Sequence, residues 1–197
     1  MSADAFRNVT EALRERIANS LPDPPVDETS IHIGPLDDQK AKDARLVLFL
    51  YRASVNADLR NAGHRVVSPN PNDPIVVFER ALPFDLHYLV SASPSSAEND
   101  LDGLRDLGVA IQALNDTPDL VGGLLAPDAV HLSFEAMSTE EMGRIWALFP
   151  AVNYRTSVVL LATPVWVDPA QQTPSAHPVV QEDYGIEPVS PEVRYGA

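Results

Sequence analysis

A continuous apolar run between Arg45 and Arg52 is the feature that most constrains the fold of this chain. The six residues of the run are all hydrophobic and do not alternate with polar residues. A strand with one face in water alternates, whereas a strand with two buried faces does not. The run therefore predicts a strand that is buried on both of its faces.

Apolar residues recur at helical spacing in three segments of the chain. The first helix is expected over about residues 4–20, where the prolines after Leu21 end it. The second opens at a capping box, Ser95 to Glu98, and is expected to turn Leu101, Leu104, Ile111 and Leu114 inward. The third opens at another capping box, Ser138 to Glu141, and carries Met142, Ile145, Trp146 and Phe149 on its apolar stripe.

Further strands are expected over residues 82–90, 130–135 and 155–167. The first two alternate, and Pro164 in the third favours an edge position because proline cannot donate to a ladder. Trp166, near the end of that strand, is a candidate for partner contact, and residues 63–74 are typical of an exposed loop. The order of elements predicts a single α/β (mixed α+β) domain: a mixed, mostly antiparallel sheet with packed helices.

Composition restricts the partners that the chain can have. With 197 residues, a net charge of −14 and no cysteine, it fits one domain without a disulfide framework. The acidity argues against nucleic acid and anionic membranes, because phosphate contacts need clustered cations. It serves either solubility or attraction to a basic ring of partner subunits. No apolar run reaches the roughly 18 residues of a membrane helix, and no secretory signal is visible.

Candidate catalytic chemistry is sparse. Asp85 and His87 share one strand face, as do His131, Ser133 and Glu135, so neighbouring strands would allow a divalent-metal cluster of Asp85, His87, His131 and Glu135. The alternative is a polar outer face with hydrogen-bonded histidines, and this is favoured because the ligand spacing is not that of a metal site. Nucleophile elbows and phosphate-binding loops are absent from the sequence, so an enzyme is not expected.

Five segments carry a recognisable pattern: residues 49–61 (FLYRASVNADLRN), 82–89 (LPFDLHYL), 107–118 (LGVAIQALNDTP), 138–146 and 154–157. In the same order, they resemble signatures of the cap proteins, or tail terminators, of extracellular contractile injection systems. The resemblance covers about residues 9–168. These systems are phage-tail-like particles of the antifeeding-prophage and virulence-cassette type, with a sheath around an inner tube. Two departures, Asn115 in place of the more usual histidine and Pro83 within the aliphatic run, concern local geometry.

This resemblance implies a phage tail-terminator-like fold and a structural protein without catalytic residues, metal or cofactor. The protein would end the inner tube and anchor the last sheath ring. The implied partners are the inner-tube protein, the sheath protein and further copies of the chain in a hexameric ring, without nucleic acid or membrane insertion. Assembly is expected in the cytoplasm, and the finished particle is extracellular or released by lysis. The alternative is a tail-assembly adaptor or chaperone that is absent from the finished particle.

Asn56, Arg60 and Asn61 are the candidate residues of a subunit interface. Arginine is enriched at interfaces because its guanidinium makes several directed hydrogen bonds. The alternative is that Asn56 and Asp58 simply turn the chain, as such side chains often do. Both interpretations can hold together, and the sequence leaves them open.

The chain changes character after Asp168, which divides it into a cap domain over residues 1–168 and an arm over residues 169–197. The arm is rich in proline and acidic residues and has few large apolar side chains, a composition that buries little surface on its own. Extended peptides pair readily with exposed sheet edges. We expect the arm to contact the sheath through Val179, Val180, Val189 and Tyr195.

Overall fold

Three helices and eight strands make up the part of the chain that the computed structural model describes, which is residues 3–22, 30–67, 75–93 and 100–170. The helices are α1 (Ala5–Ser20), α2 (Asp100–Asp116) and α3 (Thr139–Trp146). The strands are β1 (Ile31–Ile33), β2 (Leu46–Val55), β3 (His64–Val66), β4 (Val76–Phe78), β5 (Leu82–Ala92), β6 (Asp119–Val121), β7 (Ala129–Glu135) and β8 (Ser157–Val167).

Six of these strands form one sheet in the order β1-β2-β5-β8-β7-β6. The short β1 is parallel to β2, and every other pair is antiparallel. The remaining strands, β3 and β4, form a separate antiparallel pair. The predicted fold class, a mixed and mostly antiparallel sheet with packed helices, is confirmed.

Helices and loops cover both faces of the sheet. On one face, α1 and α2 pack over alternate residues of β2, which include Leu46 and Leu48. On the other face, α3 and the loop after β1 pack over Val47 and Phe49. Leu46, Val47 and Leu48 are all fully buried, so the apolar run is a strand buried on both faces in its first half, as its composition predicts.

The predicted inward face of α2 is only partly right. Leu114 is buried, but Leu101 is 72% exposed and Leu104 is 45% exposed. The buried stripe is formed by Leu107, Ala110 and Leu114, which are three and four positions apart. Asp106 lies beside this stripe and accepts two hydrogen bonds from the guanidinium of Arg45 at 2.8 and 2.5 Å. The ion pair therefore ties the buried side of α2 to the residue before β2, and Leu101 and Leu104 lie outside the buried stripe.

The predictions for α1 and α3 are confirmed. The bounds of α1 agree with the predicted helix, and α3 opens on the predicted capping box. In that box the Ser138 hydroxyl accepts from the Glu141 amide at 3.2 Å, and the Glu141 carboxylate accepts from the Ser138 amide at 3.0 Å. Trp146 is 6% exposed and lies in the core beneath α3. The capping box proposed for α2, Ser95 to Glu98, lies outside the described residues.

The edge position predicted for β8 is wrong, because β8 lies between β5 and β7. Pro164 is tolerated there for a local reason. The register of β5 against β8 shifts between Phe84 and Leu86, and the pairing of β7 with β8 ends at Thr163. Pro164 therefore sits at a bulge, where no ladder hydrogen bond is required from it.

The loop predicted over residues 63–74 is also partly wrong. Its first residues form β3, which pairs with β4, and residues 68–74 lie outside the described residues. A three-residue strand is too short for an alternating pattern to be recognised in the sequence.

Candidate assembly interface

The turn after β2 is organised by the side chain of Asn56. Its carbonyl oxygen accepts from the backbone N–H groups of Asp58 and Leu59 at 3.1 and 3.0 Å. Its amide nitrogen donates to the Asp85 carboxylate at 2.9 Å and lies 3.4 Å from the Thr163 hydroxyl. Asn56 therefore closes the turn and also joins the end of β2 to β5 and β8.

The other two candidate interface residues have a different environment. Arg60 and Asn61 both lie on this turn and are exposed. Their side chains are accessible to a partner, whereas most of the hydrogen-bonding capacity of Asn56 is used inside the subunit. The turn interpretation therefore describes Asn56, and the interface role of Asn56, Arg60 and Asn61 stays a prediction.

A buried histidine cluster lies near the same end of the sheet, and the sequence did not point to it. His64 is 4% exposed. Its two ring nitrogens lie 2.6 Å from an Asp168 carboxylate oxygen and 2.8 Å from an Asp128 carboxylate oxygen. Its ring stacks on Trp166 with centroids 4.9 Å apart and planes 9° apart, and on Phe78 at 6.1 Å. Asp168 is 104 positions from His64 in the chain, so no local spacing could reveal the cluster.

His64 and Asp128 shift each other's pKa toward the charged form. Burial is the largest contribution and lowers the pKa of His64, but the hydrogen bonds and charges of Asp128 and Asp168 outweigh it and raise that pKa above its ordinary value. For Asp128, burial raises the pKa, whereas the hydrogen bond and charge of His64 lower it to a net value below the usual range. The cluster thus favours a protonated imidazole between two carboxylates. Trp166 stacks on His64 within the subunit but is only partly buried, so its predicted contact with a partner stays a prediction.

The residues considered for a metal site do not come together as one group. The strands β5 and β7 are not neighbours, because β8 lies between them. His87 and Glu135 do meet, at 2.7 Å, while Asp85 bonds Thr163 and Asn56, and His131 bonds Asp119 at 2.7 Å. Within residues 3–22, 30–67, 75–93 and 100–170, no three acidic or histidine side chains could hold one metal ion. The histidines are hydrogen-bonded, as the favoured interpretation expects, but His87 is 8% exposed and therefore does not lie on an outer face.

The predicted arm residues, Val179, Val180, Val189 and Tyr195, lie outside the described residues. The described part contains exposed apolar side chains at both edges of the sheet: Ile33 and Val55 at one edge, and Val121 and Leu124 near the other. Among the helices that the structure describes, none is long and apolar enough to cross a membrane.

Comparison with solved structures finds the same fold in two terminators of phage-tail-like particles. The first is the sheath/tube terminator, in the extended state, of the PVC extracellular contractile injection system. It aligns with a TM-score of 0.60 at 18% identity, over 94% of this chain and 64% of that chain. The second is the tube-terminating cap of the anti-feeding prophage, with a TM-score of 0.56 at 16% identity, over 97% and 64%. This chain thus spans a little less than two thirds of either protein.

Comparison of sequences gives the family. No curated protein sequence is significantly similar to the chain. The family model of the Pvc16 N-terminal domain matches residues 8–181, which includes nearly all of the described structure. This agrees with the resemblance found in the sequence segments quoted above, which is thereby confirmed. The chain belongs to the Pvc16 N-terminal domain family.

Proposed function

We propose that this chain is a structural cap protein that terminates the inner tube and anchors the last sheath ring of a contractile injection system. The observation that carries the proposal is the family match over residues 8–181, together with the fold that the chain shares with two tube terminators. The family and the neighbours are structural components, which supports a role without catalysis.

The mechanism is geometric, since no bond is made or broken. A subunit ring with one face that fits the tube and no face that accepts another tube ring binds once and stops growth. Such a ring needs a heterologous interface whose rotation closes, and we propose that it closes as a hexamer. A stable ring should bury at least about 1,000 Å² between neighbouring subunits.

The turn after β2 is the proposed interface element. Arg60 and Asn61 are exposed on it, and Asn56 holds its backbone through the two accepted amide hydrogen bonds. A turn that is already fixed loses little conformational entropy when a partner binds. The guanidinium of Arg60 can then make directed hydrogen bonds to carbonyl or carboxylate groups of the neighbouring subunit.

The arm over residues 169–197 is the proposed sheath contact. Its segments around Val179, Val180 and Val189, with Tyr195, would add strands to exposed edges of sheath subunits. The net charge of −14 would also favour approach to a basic ring of partner subunits. Under this proposal the chain assembles in the cytoplasm and remains in the released particle.

Electron microscopy of particles from the producing cell, with the gene intact and deleted, tests the proposal. We expect overlong bare tubes, or particles without sheath, in the deletion strain, and normal particles when the gene is restored. Normal capped particles of normal length in the deletion strain would contradict the cap role. Abnormal particles in the deletion strain, with no copy of the chain in intact particles by mass spectrometry, would instead favour the adaptor role.

A further inference from the structure

Among the described residues, no strand pairs with the outer edge of β2 over more than half of its length. The short β1 pairs only with residues 46–48 of β2, whereas β2 continues to Val55. β1 ends because Gly34 has φ +146° and directs the chain away from the edge, and Pro35 follows it. Residues 49–55 therefore extend about 23 Å beyond the paired part of the edge.

The backbone groups that face outward at this edge can be assigned. The Leu48 carbonyl faces outward, because it accepts from the Gly34 amide at 3.2 Å. The Asn56 amide faces inward, because it donates to the Pro83 carbonyl of β5 at 2.9 Å. Since successive residues of a strand alternate, and the register shift between Leu50 and Arg52 adds one residue, Leu50, Ala53 and Val55 point their N–H and C=O groups outward.

Exposed edge strands normally carry features that block pairing with another strand. This one has the bulge at Tyr51 and the exposed Arg52. Ala53 and Val55 are nevertheless exposed, Val55 by 45%. Among the described residues, none pairs with this stretch in a strand ladder on its outer side. The edge thus offers three pairs of backbone groups beside small apolar side chains, the features that an added strand needs.

We propose that residues 179–187 of the same chain occupy this edge as an antiparallel strand. The register shows that β8 and β2 end at the same side of the sheet, because Val55 pairs with Phe84 and Phe84 pairs with Val165. The outer edge of β2 lies three strand spacings from β8, or about 14 Å. The eight residues from 171 to 178 span up to about 26 Å when extended, so the reach is sufficient. A segment that arrives from this end runs antiparallel to β2.

The composition of the segment fits the edge. Residues 179–187 contain no proline, and Pro178 and Pro188 flank them. They include Val179, Val180, Tyr184 and Ile186, which are residue types that favour strands. The segment also carries Glu182, Asp183 and Glu187, which complement the exposed Arg52 and Arg60 beside the edge. The same valines that are proposed to contact the sheath would then shield the edge in the free chain, and this inference does not depend on the cap role.

Hydrogen–deuterium exchange of the full chain tests the pairing. We expect the amides of Leu50, Ala53 and Val55 to exchange at least about tenfold more slowly than unpaired amides. The variant Val180→Pro should remove that protection, because proline cannot donate and disfavours a strand. The control Ala176→Pro, between Pro174 and Pro178, should leave it intact. Fast exchange of the three amides in the unaltered chain, or equal protection in Val180→Pro, would overturn the proposal.

Engineered cysteines identify the chain that supplies the strand. The natural sequence has no cysteine, so every disulfide must join engineered positions. Ala53→Cys is combined in one chain with Val180→Cys, Glu182→Cys or Tyr184→Cys, which share one strand face. We expect an intrachain disulfide in at least one of the three on mild oxidation, and none when exposed Ala136→Cys replaces Ala53→Cys. Disulfides that form only between different chains, in mixtures of single variants, would overturn the same-chain assignment.

Discussion

Replacing Asn56 by alanine tests how the turn after β2 is held. The variant removes two hydrogen bonds from backbone N–H groups, at 3.1 and 3.0 Å, and one to the Asp85 carboxylate at 2.9 Å. Loss of a side chain that caps backbone N–H groups costs about 1 kcal/mol, and loss of a hydrogen bond to a charged group costs about as much again. We expect the free energy of unfolding to fall by about 2 kcal/mol, which for a domain of this size lowers Tm by about 4–8 °C.

Asn61→Ala is the matched control, because Asn61 is an exposed asparagine of the same turn. Its removal should change the free energy of unfolding by less than about 0.5 kcal/mol. Thermal unfolding followed by circular dichroism, at a concentration where the chain is monomeric, measures both variants. A Tm of Asn56→Ala within 1 °C of the unaltered protein, or equal losses in the two variants, would refute the assigned role of Asn56.

Three further expectations follow from the same contacts. The raised pKa of His64 means that the imidazolium stabilises the fold below its unfolded pKa of about 6.5, and that this stabilisation is lost as pH rises through the folded pKa. The difference in free energy of unfolding between the unaltered chain and His64→Gln should therefore shrink from pH 6 to pH 9, and a difference that is constant or grows would contradict the cluster. Ser138→Ala removes the N-cap of α3 and should cost about 1 kcal/mol in urea unfolding, whereas the control Thr139→Ala, at the first helical position, should cost less. Arg60→Ala should reduce ring formation, by analytical ultracentrifugation or in particles, without lowering Tm; unchanged assembly would exclude Arg60 from the interface.

The strands and helices that sequence patterns predict well are those whose periodicity reflects burial. The run at residues 46–51 and the apolar stripe of the first helix, which consists of Val9, Leu13 and Ile17, both give the correct element, because their apolar positions face a core. Periodicity alone does not predict which face of α2 is buried. Leu101 and Leu104 have the right spacing, but the buried side carries Leu107, Ala110 and Leu114, whose core partners come from elements distant in the sequence.

The candidate site residues also differ in whether their contacts can be predicted from neighbouring residues or depend on residues far away in the chain. The sequence predicts the turn role of Asn56, because an asparagine followed two positions later by an aspartate is a local turn signal. Its bonds to Asp85 and Thr163 depend on strand order, and so do the partners of His64. Pro164 shows why strand order resists prediction: a bulge lets a proline lie in an internal strand, where the usual rule would place it at an edge.

Electron microscopy of purified extended particles, with this chain labelled, tests the central claim most directly. The account predicts a single ring of the chain at the end of the tube distal to the baseplate, in contact with both the last tube ring and the last sheath ring. Absence of the chain from complete particles, or its distribution along the length of the sheath, would contradict the account.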